Sequence, residues 1–138
     1  MVTNPMPDQL QRTRVFSARS LVGTDVTNSD GEALGSIEEL MLNAEHGDIA
    51  YAVVKFGGGF LGTGEKLFAI PWKAFSLSLH DQKAILQVPR ERLQEAEGFD
   101  KDAWPDMADE TWAEQVHEYY GYEPYWKRGG AGGRSVQP

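Results

Sequence analysis

Cysteine is absent from this 138-residue chain, and its uncharged apolar runs are short. The missing thiols exclude disulfides, thiolate catalysis and cysteine-ligated zinc or iron–sulfur centres. The longest apolar run, Ile49 to Val54, is far below the roughly 20 residues needed to cross a bilayer. The N-terminal sequence MVTNPMPDQLQRTR has neither the apolar segment nor the small-residue cleavage site of a secretory signal. We therefore expect a cytoplasmic protein without a membrane span.

Negative charge is concentrated in one part of the chain, whose formal net charge is −8. Between Glu95 and Glu123, ten acidic residues stand against Lys101 alone, which gives this segment −9. The other residues hold eleven acids and twelve bases, or +1. Nucleic-acid binding depends on cations that neutralise phosphates, so this acidic segment argues against a nucleic-acid partner.

The residues from about Val22 to Val88 read as short strands separated by turn signals, which is typical of a small antiparallel barrel. Turns are predicted at Asn28 to Glu32, Glu45 to Asp48 and His80 to Lys83. In the first two, Asn, Asp and Gly supply the residues that tolerate left-handed backbone.

Two strands carry informative apolar patterns. Phe75, Leu77 and Leu79 alternate with serines, which predicts a half-exposed strand. Asp48 to Phe56 is apolar at both odd and even positions, so we expect this strand to lie centrally and to be covered on both faces.

The residues after the last strand favour two helices, and we expect them to cover the second face of the central strand. Pro89 precedes a predicted helix over Arg90 to Gly98. A second helix is predicted from an N-cap at Asp109 to Gly121. Its apolar side chains recur at helical spacing: Trp112, Val116, Tyr119 and Tyr120.

These patterns predict a mainly β chain in four segments. A flexible N-terminal segment covers residues 1–16, and a small antiparallel β-barrel covers residues 17–88. A helical arm rich in acidic and aromatic residues covers 89–126, and a flexible glycine-rich tail covers 127–138.

The glycine-rich stretch Gly57 to Gly64 contains G-x-G-x-x-G and a near match to a phosphate-binding P-loop. Both motifs work because backbone N–H groups at a helix N-terminus point at the anion. Here the apolar sequence KLFAIPW follows and predicts a strand, while Glu65 would repel a phosphate. We interpret the stretch as a wide hairpin loop, with Phe60 and Leu61 at its tip available to a partner or a neighbouring subunit.

A calcium loop is also excluded by spacing. With Gly31 at the sixth position, the first and twelfth positions are Val26 and Ile37, neither of which supplies an oxygen ligand. A hairpin turn explains the same residues.

No catalytic, metal or cofactor site is predicted. His46, His80 and His117 lack metal-site spacing and are expected at the surface or rim. Glu38 and Glu39 are neighbours in a predicted strand, so their carboxylates should face opposite sides.

The arm holds eight of the fifteen aromatic residues of the chain. Such residues complete small cores and form the centres of interfaces. The arm can therefore wrap its own barrel, or part of it can dock on a second copy or another protein. The candidate interaction residues are Phe60, Leu61, Trp72, Trp104, Trp112, Tyr119, Tyr120, Tyr125 and Trp126.

Four motifs in Ser20 to Val88 resemble the PRC-barrel family: the entry LVG, the turn DGEALGSI, the central YAVV and the strand KLFAIPW. This small barrel is shared by the photosynthetic reaction-centre H subunit and a ribosome maturation factor. The sequence from GFDKDAWPDMAD to YYGYEPYW is similar to the C-terminal part of stand-alone bacterial PRC-barrel proteins.

The resemblance implies a docking module. The chain lacks the membrane helix of the H subunit and the additional barrel of the maturation factor, so neither role is carried over. We expect a non-enzymatic protein-binding or assembly module, and a homodimer. The alternative is an accessory subunit of a photosynthetic or redox membrane complex that tunes charge or proton transfer.

Overall fold

The computed structural model describes residues 17–57, 66–78 and 82–127. Within these ranges the strands are β1 (Asp25–Thr27), β2 (Ala33–Asn43), β3 (Asp48–Phe56), β4 (Lys66–Pro71), β5 (Phe75–Ser78) and β6 (Lys83–Leu86). The helices are α1 (Arg90–Gln94) and α2 (Glu110–Tyr120), and short 3-10 turns cover Ala18–Ser20, Trp72–Ala74 and Tyr125–Lys127.

The six described strands form one curled sheet in the order β4-β3-β2-β1-β6-β5, a half-barrel followed by helices. This architecture confirms the predicted class, a PRC-type barrel with a helical C-terminal arm. One pairing departs from the antiparallel pattern, because β1 and β6 run parallel. A 3-10 turn at Trp72–Ala74 follows β4 and separates it from β5. The strands β5 and β6 form an antiparallel pair, and β6 joins this pair to the sheet beside β1.

Two of the predicted turns are confirmed by left-handed glycines. Gly31 has φ +86° and Gly47 has φ +76°, conformations that disfavour other residues. In the third turn Gln82 has φ 56°, while His80 and Asp81 lie outside the described residues. On β5, Phe75 and Leu77 pack against the buried core that includes Val54 and Leu86, which we call the main core. Leu79 lies outside the described residues.

The strand β3 is buried on both faces, as its sequence predicts. Its inner face contributes Ala52, Val54 and Phe56 to the main core. Its outer face presents Tyr51, which is only 1% exposed and packs against residues of the arm. The buried side chains of the main core are Val26, Leu34, Ile37, Ala52, Val54, Phe56, Phe68, Ile70, Ala74, Ala84, Leu86, Val88 and Leu93.

The first helix is shorter than predicted, because α1 ends at Gln94 rather than near Gly98. Gly98 instead lies against the sheet, where the next residue, Phe99, exchanges backbone hydrogen bonds with Leu67 of β4 at 2.9 and 2.8 Å. A Cβ at Gly98 would lie 2.8 Å from the Leu67 carbonyl oxygen and from the Phe68 ring. The glycine is therefore required by a close backbone approach and not by a helix end.

The second helix has the predicted ends. The Asp109 side chain accepts a hydrogen bond from Thr111 N at 2.9 Å, which caps the N-terminus of α2. Gly121 ends the helix with φ +82°, and its N–H donates to the His117 carbonyl at 2.9 Å.

We predict that Gly98→Ala lowers the free energy of unfolding by about 1–3 kcal/mol, because the new methyl group overpacks the contact with Leu67 and Phe68. Gly57→Ala is the matched control, since its Cβ would meet no atom of the described residues within 4 Å. Urea unfolding measures both variants. Equal stability of the two variants would contradict the close approach.

Candidate functional site

The candidate interaction residues fall into separate environments. Phe60 and Leu61 lie outside the described residues. Trp72 lies in the 3-10 turn after β4 and is half-buried against the main core. Its ring centroid lies 5.6 Å from that of Phe75. Trp72 is thus part of the packing of the barrel, and it is not among the residues that form the apolar cluster around Tyr51.

A second apolar cluster forms on the outer face of the sheet around Tyr51; we call it the outer cluster. The Tyr51 ring centroid lies 5.4 Å from that of Trp112 and 5.8 Å from that of Tyr125, both edge-on. These geometries are favourable for aromatic pairs. The cluster consists of Met41, Ala50, Tyr51, Met107, Trp112, Ala113, Val116, Tyr125 and Trp126, with the His117 ring against Tyr51, Tyr125 and Trp126.

His117 belongs to the outer cluster and is only 1% exposed, so the expectation of a surface position is wrong. Its Nδ1 lies 2.7 Å from the Ala113 carbonyl oxygen, which can only accept, so Nδ1 carries the proton and donates. This bond to its own helix satisfies one polar atom of the buried ring. His117 follows Ala113 by four residues and therefore lies on the same, buried face of α2. This spacing is visible in the sequence and could have predicted the buried position.

Tyr119 and Tyr120 connect α2 to the rest of the fold. The Tyr119 hydroxyl donates to the Arg92 carbonyl at 2.6 Å, and Arg92 Nε donates to the Tyr119 carbonyl at 2.9 Å. The guanidinium also lies 4.4 Å from the Tyr119 ring centroid, within cation–π range. Tyr120 packs against the main core. Tyr119 therefore joins the two helices of the arm, and Tyr120 joins α2 to the main core.

Trp104 differs from the other described candidate aromatics, because it is 41% exposed. One side of its indole contacts Phe99 at a ring-centroid distance of 5.2 Å. Phe99 is fixed to the edge of β4 by its backbone bridge to Leu67. Trp104 is therefore held beside the sheet with part of its surface open to solvent.

A groove of about 810 Å³ lies beside Trp104, between the sheet and the part of the arm that follows α1. Glu38, Glu39, Lys55 and Leu67 line it from the sheet, and Asp100, Lys101, Asp102, Ala103 and Trp104 line it from the arm. We call it the Trp104 groove. Its lining carries four carboxylates and two ammonium groups, a formal charge of −2.

Glu38 and Glu39 both line the Trp104 groove, so the expectation that they face opposite sides does not hold. The pairing register between β2 and β3 shifts here, since Ile37 pairs with Val54 but Glu39 pairs with Val53. The extra residue breaks the strict alternation of faces, as a β-bulge does.

A second cavity, of about 680 Å³, lies by the turn between β1 and β2 and reaches Gly57. Glu32 and Arg90 line it and form an ion pair at 3.0 Å. The hydrogen bond from Asn28 and the nearby Arg90 guanidinium lower the pKa of the Glu32 carboxyl. Glu32 and Arg90 thus bind one another, and Asp25 and Lys83 also line this cavity.

Residues 17–57, 66–78 and 82–127 contain no group of three or more His, Asp or Glu side chains placed to hold a metal ion. In the same ranges, no helix has the length and apolarity to span a membrane.

A family model of the PRC-barrel domain matches residues 14–93, which is more than half of the chain. This match confirms the resemblance carried by the sequence motifs. No curated protein matches the chain.

We predict that Tyr51→Phe leaves the free energy of unfolding unchanged or raises it by up to about 1 kcal/mol. The Tyr51 hydroxyl is buried and makes no hydrogen bond to the described residues, so its removal leaves no partner unpaired. Tyr51→Ala should instead lower stability by about 3–5 kcal/mol, because it empties the centre of the outer cluster. Urea unfolding compares the two, and a large loss in Tyr51→Phe would reveal a required hydroxyl contact.

Stability should also fall at alkaline pH because of two tyrosines. Burial raises the pKa of Tyr51 and of Tyr120, with smaller contributions from Tyr125 and Tyr119 respectively. A phenol that stays neutral in the fold but ionises in the unfolded chain stabilises the fold fully below the unfolded pKa of about 10. That stabilisation is lost as the pH rises above about 10 towards the folded pKa.

The double variant Tyr51→Phe/Tyr120→Phe tests this pH dependence. Above pH 10 its free energy of unfolding should fall less steeply than that of the wild type, and below pH 9 the two slopes should agree. Identical slopes at alkaline pH would show that other groups cause the loss.

Proposed function

This chain belongs to the PRC-barrel family, and we propose that it is a non-enzymatic protein-binding or assembly module built on that barrel. The proposal concerns docking of the folded chain on another macromolecule. The proposal rests on the surface of the arm. The arm aromatics that pack inward stabilise the fold, whereas Trp104 is exposed and can contact a partner.

The observation that carries the proposal is the position of Trp104. Its side chain is 41% exposed and borders a groove. Tryptophan is enriched at the centres of protein interfaces because it buries a large area at a small entropic cost. Its position against Phe99 and the β4 edge offers a partner a fixed surface.

Charge around Trp104 supports the same proposal. The segment from Glu95 to Glu123 has a formal charge of −9. Complementary charge steers association and selects partners more than it adds affinity. We therefore propose a protein partner with a basic surface.

Homodimerisation and a cytoplasmic location are further parts of the proposal and rest on the sequence. The tip residues Phe60 and Leu61 are the sequence candidates for a subunit contact. The division into barrel and arm at Val88 is likewise proposed. The accessory-subunit alternative stays a prediction, which co-fractionation with a membrane redox complex would support.

The proposed function predicts a stoichiometric partner in the native cell extract. Immobilised wild-type chain should retain this partner, and Trp104→Ser should retain at least fivefold less of it. Leu42→Ser is the matched control, because Leu42 is 69% exposed and is not among the residues that line the Trp104 groove. Quantitative mass spectrometry measures retention, and light scattering gives the mass of each variant.

A wild-type chain that is monomeric and retains no stoichiometric protein would contradict a docking function. Equal loss of the partner in both variants would place the contact elsewhere or show a general effect of the substitutions. Circular dichroism establishes that each variant remains folded.

A further inference from the structure

We propose that the Trp104 groove binds a lysine- or arginine-bearing segment of a partner protein. This inference rests on the proposed docking function and adds to it the site and the chemistry of the bound segment. The charges on the two walls, the exposed indole, the size of the groove and the weak ion pair between Lys66 and Asp100 support it.

Carboxylates line the groove from both sides. Glu38 and Glu39 come from β2, and Asp100 and Asp102 come from the arm. A cation that enters between the walls is attracted by the sheet and the arm together. The register shift at Ile37 is what brings two adjacent glutamates of one strand to this wall.

Apolar atoms in the groove suit the rest of a long basic side chain. Leu67 is 8% exposed and lines the groove, so it can contact methylene groups of a lysine or arginine. The exposed indole of Trp104 offers a π face for the cationic head, and arginine and lysine bind such faces. An acidic or purely apolar segment would leave the formal charge of −2 in the groove uncompensated.

The groove has room for several side chains. Its volume of about 810 Å³ lies within the range of roughly 300–1,000 Å³ that holds a drug-sized ligand. A short extended segment with two or more basic side chains is therefore the occupant that matches both its size and its charge.

Lys55 and Lys101 line the groove, and its four carboxylates outnumber these two ammonium groups by two. Lys66 Nζ lies 3.6 Å from Asp100, and the two side chains are 47% and 67% exposed. Exposed ion pairs of this kind are weak. An arginine that binds the carboxylate through two parallel N–H donors can displace the single ammonium group.

The test measures binding of a fluorescein-labelled nonapeptide in which glycine alternates with arginine and lysine. Its counterpart carries citrulline and acetyl-lysine at the same positions, which removes the charge and keeps the length. Fluorescence anisotropy with the full chain should give saturable binding of the basic peptide and at least tenfold weaker binding of the neutral one.

Two charge-reversal variants separate the groove from the general acidity of the arm. Glu39→Lys/Asp102→Lys changes the groove, and Glu114→Lys/Glu118→Lys makes the same change in net charge on exposed positions of α2. We expect the groove variant to weaken binding at least tenfold and the α2 variant less than threefold. Trp104→Leu should weaken it at least threefold without a change in net charge.

Equal weakening by the two charge variants would overturn the proposal, because the peptide would then follow overall charge. Absence of saturable binding up to 1 mM peptide would also overturn it. If light scattering shows that the groove variant dissociates a wild-type dimer while peptide affinity is unchanged, the groove contacts a second copy and the inference is wrong.

The cell-extract experiment distinguishes this inference from the function on which it rests. If the wild type and the groove variant retain a partner equally, the docking function stands and the groove is excluded as the site of contact. Without a partner for the wild type, the docking function fails even if the peptide binds.

Discussion

The fold depends on one constraint: β3 carries apolar side chains on both faces, and water must be excluded from each. The curled sheet covers only the inner face, where Val54 and Phe56 join the main core. On the outer face Tyr51 is buried by residues of α2 and the turn that follows it. The arm therefore completes the hydrophobic core, and a barrel without it would expose the centre of the outer cluster.

The same constraint determines which aromatic residues remain for a partner. Trp112, Tyr125 and Trp126 contact Tyr51 or its neighbours and are used in the outer cluster. Trp104 precedes α2 in the chain, contacts Phe99 and borders the Trp104 groove. The arm thus combines a structural role near Tyr51 with an exposed, acidic surface near Trp104, and the proposed docking function uses the second.

Local chemistry explains which features the sequence predicted. Gly31 and Gly47 specify turns through their own backbone freedom, and the caps of α2 need only neighbouring residues. The sequence predicts a helix end at Gly98 because the contact of this residue with β4 joins distant parts of the chain, which no local pattern reveals. For His117, the residue type favours the surface, whereas the position four residues after Ala113 favours burial, and burial is what the structure shows. The groove depends on a register shift and on tertiary packing, so only Trp104 could be named from the sequence.

Amide hydrogen exchange, resolved by residue in the full chain, tests most directly whether the arm is part of the core. If the outer cluster unites α2 with β3, the central amides of both elements should open with the same free energy, close to that of global unfolding. Exchange of the α2 amides through an opening several kcal/mol lower than that of β3 would contradict this account. The arm would then be an appendage, and the burial of Tyr51 would not depend on it.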